Sequence, residues 1–354
     1  SSDLKKLSVV FILLCFVSSA TIAASATTTA NSKQQSIPTF SFSDLRQLGS
    51  TSRDGDDIVT VNTKHSDRRD EFIETLSTTG LLAVRLDGNS SDNINDLEGY
   101  DYNRDRRIAL DGLCTCVDHP EFLSLDQTNE LHISKSATKR TSVGTATVGL
   151  NHPLPLPEGL IQTCSEEVVN AMEGLRDVVA SVSKEFVLAL DKVLLGGNDE
   201  DKYHKSSSPT AILRDDVRGK SYRSITDIVS AANHLEHFNV YTLKEEDGEE
   251  ETQSSDVAWD WHTDAGLFLV FVPAWNCNEN HNSNNVDDSF YYRDGRDGTP
   301  IRAEFDGGRT AIVMLGQGAQ DWLNLPTTKH KTQTLLKATT HSVRWSVKEN
   351  SLDR

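Results

Sequence analysis

A histidine and an aspartate separated by one residue, His262 and Asp264, stand directly before an apolar run in the segment WDWHTDAGLFLVFV. In an extended chain, residues two apart point to the same face, so these side chains can occupy two adjacent corners of one metal ion. A histidine from a distant strand would complete the two-histidine, one-carboxylate triad that binds Fe(II) and leaves positions open for a co-substrate and O2. The pair alone is a weak signal, because the chain has 11 histidines and 53 acidic residues.

The third ligand has to come from elsewhere in the chain, and the spacing favours His341. This histidine lies in the β-rich segment LKATTHSVRW, which follows the apolar run TAIVML. Both runs have the composition of strands. The histidines with less suitable contexts, in polar loops or at a predicted helix end, are His234, His237, His281 and His330. His119 and His152 remain as alternatives without a matching partner pattern.

The elements that must position these residues change in character along the chain. Apolar residues recur every three or four positions over residues 67–79, 165–195 and 225–234, which predicts helices, the second beginning at a capping box of Thr163 and Glu166. The predicted strands span residues 81–86, 238–243, 267–272, 310–315 and 341–347. Helices followed by several short strands predict an α+β fold, a double-stranded β-helix (jelly roll) braced by N-terminal and long central helices.

The N-terminus has the order of a secretory signal peptide. Lys5 and Lys6 precede an apolar run over residues 7–17, and small residues follow up to Ala26. The run is short for a membrane span, so no stable span is expected once the signal is removed. The predicted organisation is a signal peptide over residues 1–26, a disordered linker over 27–36, a mixed helical region over 37–235 and the jelly-roll domain over 236–354. The predicted location is the secretory pathway, as a protein of the ER lumen, a secreted protein, or one delivered to an organelle by that route.

Composition narrows the classes of partner. With 36% hydrophobic and 25% charged residues, the chain has the composition of a globular protein. Its formal net charge of −18 argues against nucleic acid, because phosphate binding needs clustered lysine and arginine. The four cysteines after the predicted signal do not match a zinc-binding pattern, and we expect isolated or loosely paired thiols without a catalytic role. They are Cys114, Cys116, Cys164 and Cys277.

Five segments resemble, in the same order, the isopenicillin N synthase-like family of 2-oxoglutarate/Fe(II)-dependent dioxygenases. They are IPTFSFSDL, FIETLSTTGLLAVRLDG, HTDAG, RTAIVMLGQGAQDWLN and LKATTHSV. The resemblance implies that His262, Asp264 and His341 are iron ligands. It also implies Fe(II) and 2-oxoglutarate as cofactor and co-substrate, ascorbate as a further candidate cofactor, and O2 and a small molecule as partners.

The resemblance extends to the co-substrate, although less completely. Asn239 and Tyr241 match an Asn-x-Tyr pair near 2-oxoglutarate in some family members, and an ordinary strand with a polar side is the alternative interpretation. The family clamps the distal carboxylate of 2-oxoglutarate with an arginine that is followed two residues later by serine, since a guanidinium can pair a carboxylate bidentately. Arg344 is expected to face away from the metal, which favours the last residue, Arg354, although no serine follows it.

The implied reaction is hydroxylation or desaturation of an unknown organic substrate, with release of succinate and CO2. An apparent insertion over residues 276–299 is either a lid or, as we favour, a surface loop. Two alternatives stay open. One is a non-haem iron oxygenase or oxidase that does not use 2-oxoglutarate, and the other is a non-catalytic jelly-roll binding module.

Overall fold

A computed structural model describes twelve parts of the chain, and the statements below concern these parts. They are residues 6–9, 33–50, 61–86, 101–117, 138–150, 152–195, 213–215, 220–243, 257–276, 289–305, 309–324 and 335–344. The predicted Gly196-Gly197 helix stop, His119, His281, His330, Cys277 and Arg354 lie outside the described residues.

The helices are Phe42–Gly49 (α1), Val61–Thr78 (α2), Tyr102–Cys116 (α3), Glu158–Thr163 (α4), Glu166–Leu195 (α5) and Ile225–Ser230 (α6), with a π-helical turn at Ala319–Leu323. The strands before residue 257 are Lys6–Val9 (β1), Lys33–Ser36 (β2), Thr39–Ser41 (β3), Leu81–Arg85 (β4), Thr138–Val148 (β5), His152–Pro153 (β6), Leu213–Asp215 (β7), Lys220–Tyr222 (β8) and Asn233–Leu243 (β9). The later strands are Val257–His262 (β10), Phe268–Phe271 (β11), Trp275–Asn276 (β12), Phe290–Arg293 (β13), Pro300–Glu304 (β14), Thr310–Leu315 (β15) and His341–Arg344 (β16).

The strands form three larger sheets and one hairpin. The sheet orders are β12-β1-β9-β5-β6, β10-β16-β13-β14-β2 and β11-β15-β4-β3, and β7 pairs with β8. Helices and sheets of this kind confirm the predicted α+β class. None of the described helices is long and apolar enough to cross a membrane.

The sheet β11-β15-β4 is buried on both faces, and its alternating side chains separate two apolar clusters. On β11, Phe268 and Val270 point into a cluster shared with the helices, while Leu269 and Phe271 join a cluster shared with β13, β14 and β16. Phe268 meets Phe186 of α5 with ring centroids 5.2 Å apart. The long helix α5 therefore packs on one face of this sheet, and β13, β14 and β16 pack on the other.

The structure confirms the long helix that the apolar periodicity predicts, but the helix start differs from the prediction. The oxygen Oγ of Ser165 accepts from the backbone N–H of Val168 at 3.4 Å, whereas Thr163 is the last residue of α4 and bonds back to the carbonyl of Gly159 at 2.8 Å. The predicted capping box of Thr163 and Glu166 is therefore wrong, because a separate short helix occupies the residues before α5.

The predicted helix over residues 225–234 ends at Ser230, and His234 lies in β9 instead. His234 and Glu236 are buried, and β9 pairs with β5 along its whole length. Burial at alternate positions is the pattern of a strand, so the placement of His234 and His237 at a helix end is wrong. β9 begins just before the predicted domain boundary at residue 236.

Two predicted irregular segments also form strands. Lys33–Ser36 pairs in parallel with β14, so the disorder predicted for residues 27–36 is wrong at the C-terminal end of that segment. Residues 290–293, within the apparent insertion, form β13 between β14 and β16, so that part of the segment is not a surface loop. Lys6–Val9, within the predicted signal peptide, pairs with β9 and β12.

A disulfide joins the C-terminal ends of α3 and α4. Cys116, the last residue of α3, forms a disulfide with Cys164, which follows α4, with the Cα atoms 5.3 Å apart. Cys114 is disulfide-bonded as well. The prediction of isolated or loosely paired thiols is therefore wrong for these cysteines, because the fold brings together residues that are 48 positions apart in sequence.

Candidate metal centre

Two antiparallel strands bring the predicted histidine ligands side by side. β10 pairs with β16, and His262 is the register partner of His341. Their ring centroids lie 4.2 Å apart at an interplanar angle of 53°. Asp264 follows two residues after His262, just beyond the end of the strand. The three residues that the sequence selected therefore lie together, although 77 positions separate Asp264 from His341 along the chain (341 − 264).

The donor atoms of this triad have the spacing of a shared metal site. Nε2 of His262 is 3.7 Å from Oδ1 of Asp264, and Nε2 of His341 is 3.7 Å from its Oδ2. One ligand atom from each residue lies within 4.8 Å of the others, so the group could hold a metal ion. Metal bonds to histidine nitrogen and carboxylate oxygen are about 2.0–2.2 Å long, so only small movements are needed to bring all three atoms onto one ion.

The other ring nitrogen of each histidine faces a backbone carbonyl. Nδ1 of His262 lies 2.7 Å from the carbonyl oxygen of Asp260, and Nδ1 of His341 lies 3.3 Å from that of Thr339. A carbonyl can only accept, so each Nδ1 carries the proton and each Nε2 directs its lone pair toward the carboxylate. Metal-binding histidines are oriented by such hydrogen bonds.

The electrostatics of His341 also suit a ligand. Burial lowers the pKa of this imidazole to about 4, with the neighbouring His262 acting in the same direction and the Asp264 carboxylate opposing it. His341 is therefore neutral at pH 7, which is the form that binds a metal.

The carboxylate of Asp264 gives the clearest indication that this group would bind a cation. Its Oδ2 atom is buried and has no hydrogen-bond partner among the described residues. Buried polar atoms are nearly always bonded, and a carboxylate oxygen without a donor is costly. A cation held between Asp264 and the two imidazoles would satisfy this atom. The donor set of two nitrogens and one carboxylate is the facial triad of non-haem iron sites, so the residues fit Fe(II).

An aromatic residue that the sequence did not select packs against His341. The Phe290 ring stacks on His341 with centroids 5.7 Å apart and an interplanar angle of 21°. Phe290 in turn packs against Phe271 at 5.3 Å and Phe305 at 6.0 Å. In the sequence Phe290 begins a short aromatic run within a polar segment, and this run is too short to show the period of a strand.

The residues predicted to bind 2-oxoglutarate are placed only in part. Asn239 and Tyr241 lie on β9 and are 1% and 2% exposed. Oδ1 of Asn239 accepts from the Ser142 hydroxyl at 2.5 Å, and Tyr241 belongs to the same apolar cluster as Phe290. Arg354 lies outside the described residues.

The alternative residues lie away from the triad. Arg344 stacks over the rings of Trp261 and Tyr291, at 5.8 and 5.0 Å from their centroids, in agreement with the expected outward direction. His152 is exposed on β6 and is not part of the triad.

Comparison with known proteins gives no match to a protein-family model, and no curated protein matches the chain. Solved structures do match at low identity. Dioxygenase for auxin oxidation 1 from Arabidopsis thaliana, bound to 2-oxoglutarate, is 13% identical, with 87% of this chain and 86% of that one covered and a TM-score of 0.49. The dioxygenase for auxin oxidation of rice is 12% identical, with 88% and 79% covered and a TM-score of 0.46. JOX2 in complex with 2OG, Fe and JA is 14% identical, with 89% and 72% covered and a TM-score of 0.43.

Proposed function

We propose that this chain is an Fe(II)- and 2-oxoglutarate-dependent oxygenase built on a double-stranded β-helix core. The observation that carries the proposal is the convergence of His262, Asp264 and His341, with the buried Oδ2 of Asp264 directed at the place where a cation would satisfy it. In this proposal the iron ligands are these three residues, each of which directs one donor atom toward the others.

When bound, Fe(II) supplies the redox chemistry that activates O2. The overall hydroxylation balances as substrate R–H plus 2-oxoglutarate plus O2 giving R–OH, succinate and CO2. One oxygen atom enters the substrate and the other enters succinate, while 2-oxoglutarate provides two electrons by losing CO2. Desaturation has the same co-substrate balance, with an alkene and one water formed in place of R–OH.

The protein's own contribution is binding, orientation and exclusion of water. The carbonyls of Asp260 and Thr339 hold the imidazole tautomers, and the Phe290 ring fixes the plane of His341. The apolar cluster behind the triad, which includes Phe271 and Phe305, keeps that side of the site dry.

The co-substrate is assigned to residues that the sequence resemblance supports. Arg354 pairs with the distal carboxylate of 2-oxoglutarate, and Asn239 and Tyr241 lie near it, with ascorbate as an auxiliary reductant. The substrate is a small organic molecule rather than a nucleic acid, in keeping with the net charge of −18. The location is the secretory pathway, which the Cys116–Cys164 disulfide supports because such bonds persist in oxidising compartments.

The experiment is to bind Fe(II) without oxygen, then to admit O2 and measure succinate formed from 2-oxoglutarate. Wild type is compared with His262→Ala, Asp264→Ala and His341→Ala, and with His152→Ala as the control for loss of an exposed histidine. We expect one Fe(II) per chain and succinate formation in wild type and the control, with both lost in the three triad variants.

Two outcomes would contradict the proposal in different ways. Stoichiometric iron without succinate would favour an oxygenase or oxidase that does not use 2-oxoglutarate. Iron binding that is equal in wild type and the triad variants would remove the metal centre and leave a binding module.

A further inference from the structure

The segment that carries the iron carboxylate is held by a second segment of backbone. β11 and β15 pair in antiparallel, and Phe268 lies opposite Leu315 at one end of the pair. The residues just beyond that end remain in contact. Three successive N–H groups donate across the gap: Gly316 to the carbonyl of Leu267 at 3.0 Å, Gln317 to that of Asp264 at 2.6 Å, and Gly318 to that of Gly266 at 3.0 Å. We call residues 316–318 the glycine clasp.

The clasp approaches the Asp264–Gly266 backbone so closely that it leaves no space for a Cβ atom on Gly316 and little space for one on Gly318. A Cβ atom on Gly316 would lie 2.3 Å from the carbonyl oxygen of Gly266 and 2.8 Å from that of Asp264. On Gly318 it would lie 3.0 Å from the Gly266 oxygen and 3.1 Å from that of Ala265. Neither glycine has a positive φ. Close approach, rather than backbone conformation, is therefore the reason for glycine at these positions.

The opposing atoms belong to backbone, so they cannot rotate away as the end of a side chain can. Cβ atoms essentially never lie closer than 3.0 Å to such an atom, so a methyl group on Gly316 would push the Asp264–Gly266 segment outward by at least about 0.7 Å. Metal sites tolerate only about 0.2 Å in ligand distance. A shift of this size would move the carboxylate away from the imidazoles, which are fixed by the β10–β16 pairing.

We infer that Gly316 and Gly318 are positioning residues, whose backbone contacts set where the Asp264 carboxylate stands relative to His262 and His341. This inference rests on the proposed metal centre. The clasp acts through Asp264, because Gly316 and Gly318 contact the backbone of residues 264–267.

The test compares Gly316→Ala and Gly318→Ala with two controls. Gly112→Ala places a Cβ 2.2 Å from a side-chain carbon of Val168, at the contact of α3 with α5, so it matches the steric overlap without touching the site. Gln317→Ala removes a side chain that bonds Asp321 but keeps the N–H that holds Asp264. Full-length protein is titrated with Co(II) under argon against a chelator, and urea unfolding is measured in parallel.

We expect Gly316→Ala to bind Co(II) about 10- to 100-fold more weakly, the usual cost of disturbing the groups that orient a metal ligand. Gly318→Ala has a milder steric overlap, so its Co(II) affinity should fall by a smaller factor, and its Co(II) absorption bands should shift. Gly112→Ala should lose stability without a change in the affinity of the folded protein, and Gln317→Ala should match wild type.

Co(II) affinity and spectra of Gly316→Ala and Gly318→Ala equal to wild type would overturn the inference while leaving the metal centre intact. If Gly316→Ala does not fold, Gly318→Ala decides by itself. A wild-type chain that does not bind Co(II) or Fe(II) would overturn the proposed function, and the clasp's role with it.

Discussion

A buried ion pair links Arg176 on α5 to Glu236 on β9. Nε of Arg176 lies 2.6 Å from Oε2 of Glu236, and the two side chains are 2% and 4% exposed. Arg176 also pairs with Glu173 at 2.7 Å and donates to the carbonyl of Leu154 at 2.8 Å. Glu236 accepts a further hydrogen bond from the Thr147 hydroxyl.

Substitution of Arg176 by methionine should lower the free energy of unfolding by about 3–5 kcal/mol, because it leaves a buried carboxylate without its cation. The combined change Arg176→Met with Glu236→Leu should recover most of that loss, since replacing a whole buried pair by apolar residues is often nearly neutral. Arg104→Met is the matched control. Arg104 also pairs with a glutamate of α5, Glu167, at 3.3 Å, but its side chain is 58% exposed. Its loss should cost at most about 1 kcal/mol.

The assay is urea unfolding followed by far-ultraviolet circular dichroism, with the free energy extrapolated to water for wild type and the three variants. A cost of Arg176→Met no greater than that of Arg104→Met would refute the role of the buried pair. A double variant as unstable as the single one would refute it equally, because the loss would then come from packing rather than from a stranded charge.

Three further predictions concern other buried groups. Burial lowers the pKa of His234, so the folded state binds fewer protons than the unfolded state below about pH 6.5. The free energy of unfolding should therefore fall as the pH drops from 6.5 toward the folded-state pKa. In urea titrations, His234→Gln should make the free energy of unfolding less dependent on pH in this range. Phe290→Ala should lower the free energy of unfolding in urea by about 3–5 kcal/mol, as for other buried phenylalanines. It should also weaken Fe(II) binding, because the Phe290 ring stacks on His341. Phe186→Ala, which also creates a cavity but does not remove a ring from His341, should not weaken Fe(II) binding. Cys116→Ser removes the disulfide between residues 48 positions apart, which should lower the free energy of unfolding by about 4 kcal/mol through loop-closure entropy. The difference from wild type should vanish when both proteins are unfolded in the presence of a reductant.

The parts of the fold that the sequence predicted are those with strong local patterns. The apolar residues of α5 repeat over 30 positions, which is long enough for the helical period to be unambiguous. β15 has five consecutive apolar residues after Thr310, and the structure buries all six of its residues between two layers. The i, i+2 spacing of His262 and Asp264 pointed to two ligands on one face of an extended chain, and the β-rich context and the family resemblance pointed to His341.

The parts that were missed depend on partners distant in sequence. β13 is held by β14 and β16, and its four residues are too few to show a period within a polar segment. The start of β9 was mistaken for helix, because the alternation of His234 and Glu236 becomes meaningful only once β5 is known to lie beside it. The close approach at Gly316 could not be predicted either, since a glycine in sequence does not reveal whether its neighbour is solvent or another backbone.

The most direct test of the proposed metal centre is the visible absorption of the anaerobic protein with Fe(II) and 2-oxoglutarate. We expect a weak metal-to-ligand charge-transfer band that is absent in His262→Ala and His341→Ala, weakened in Arg354→Ala and unchanged in His152→Ala. A band of full strength in the triad variants would contradict the assignment of the metal ligands. Bound iron without any band in wild type would contradict the use of 2-oxoglutarate.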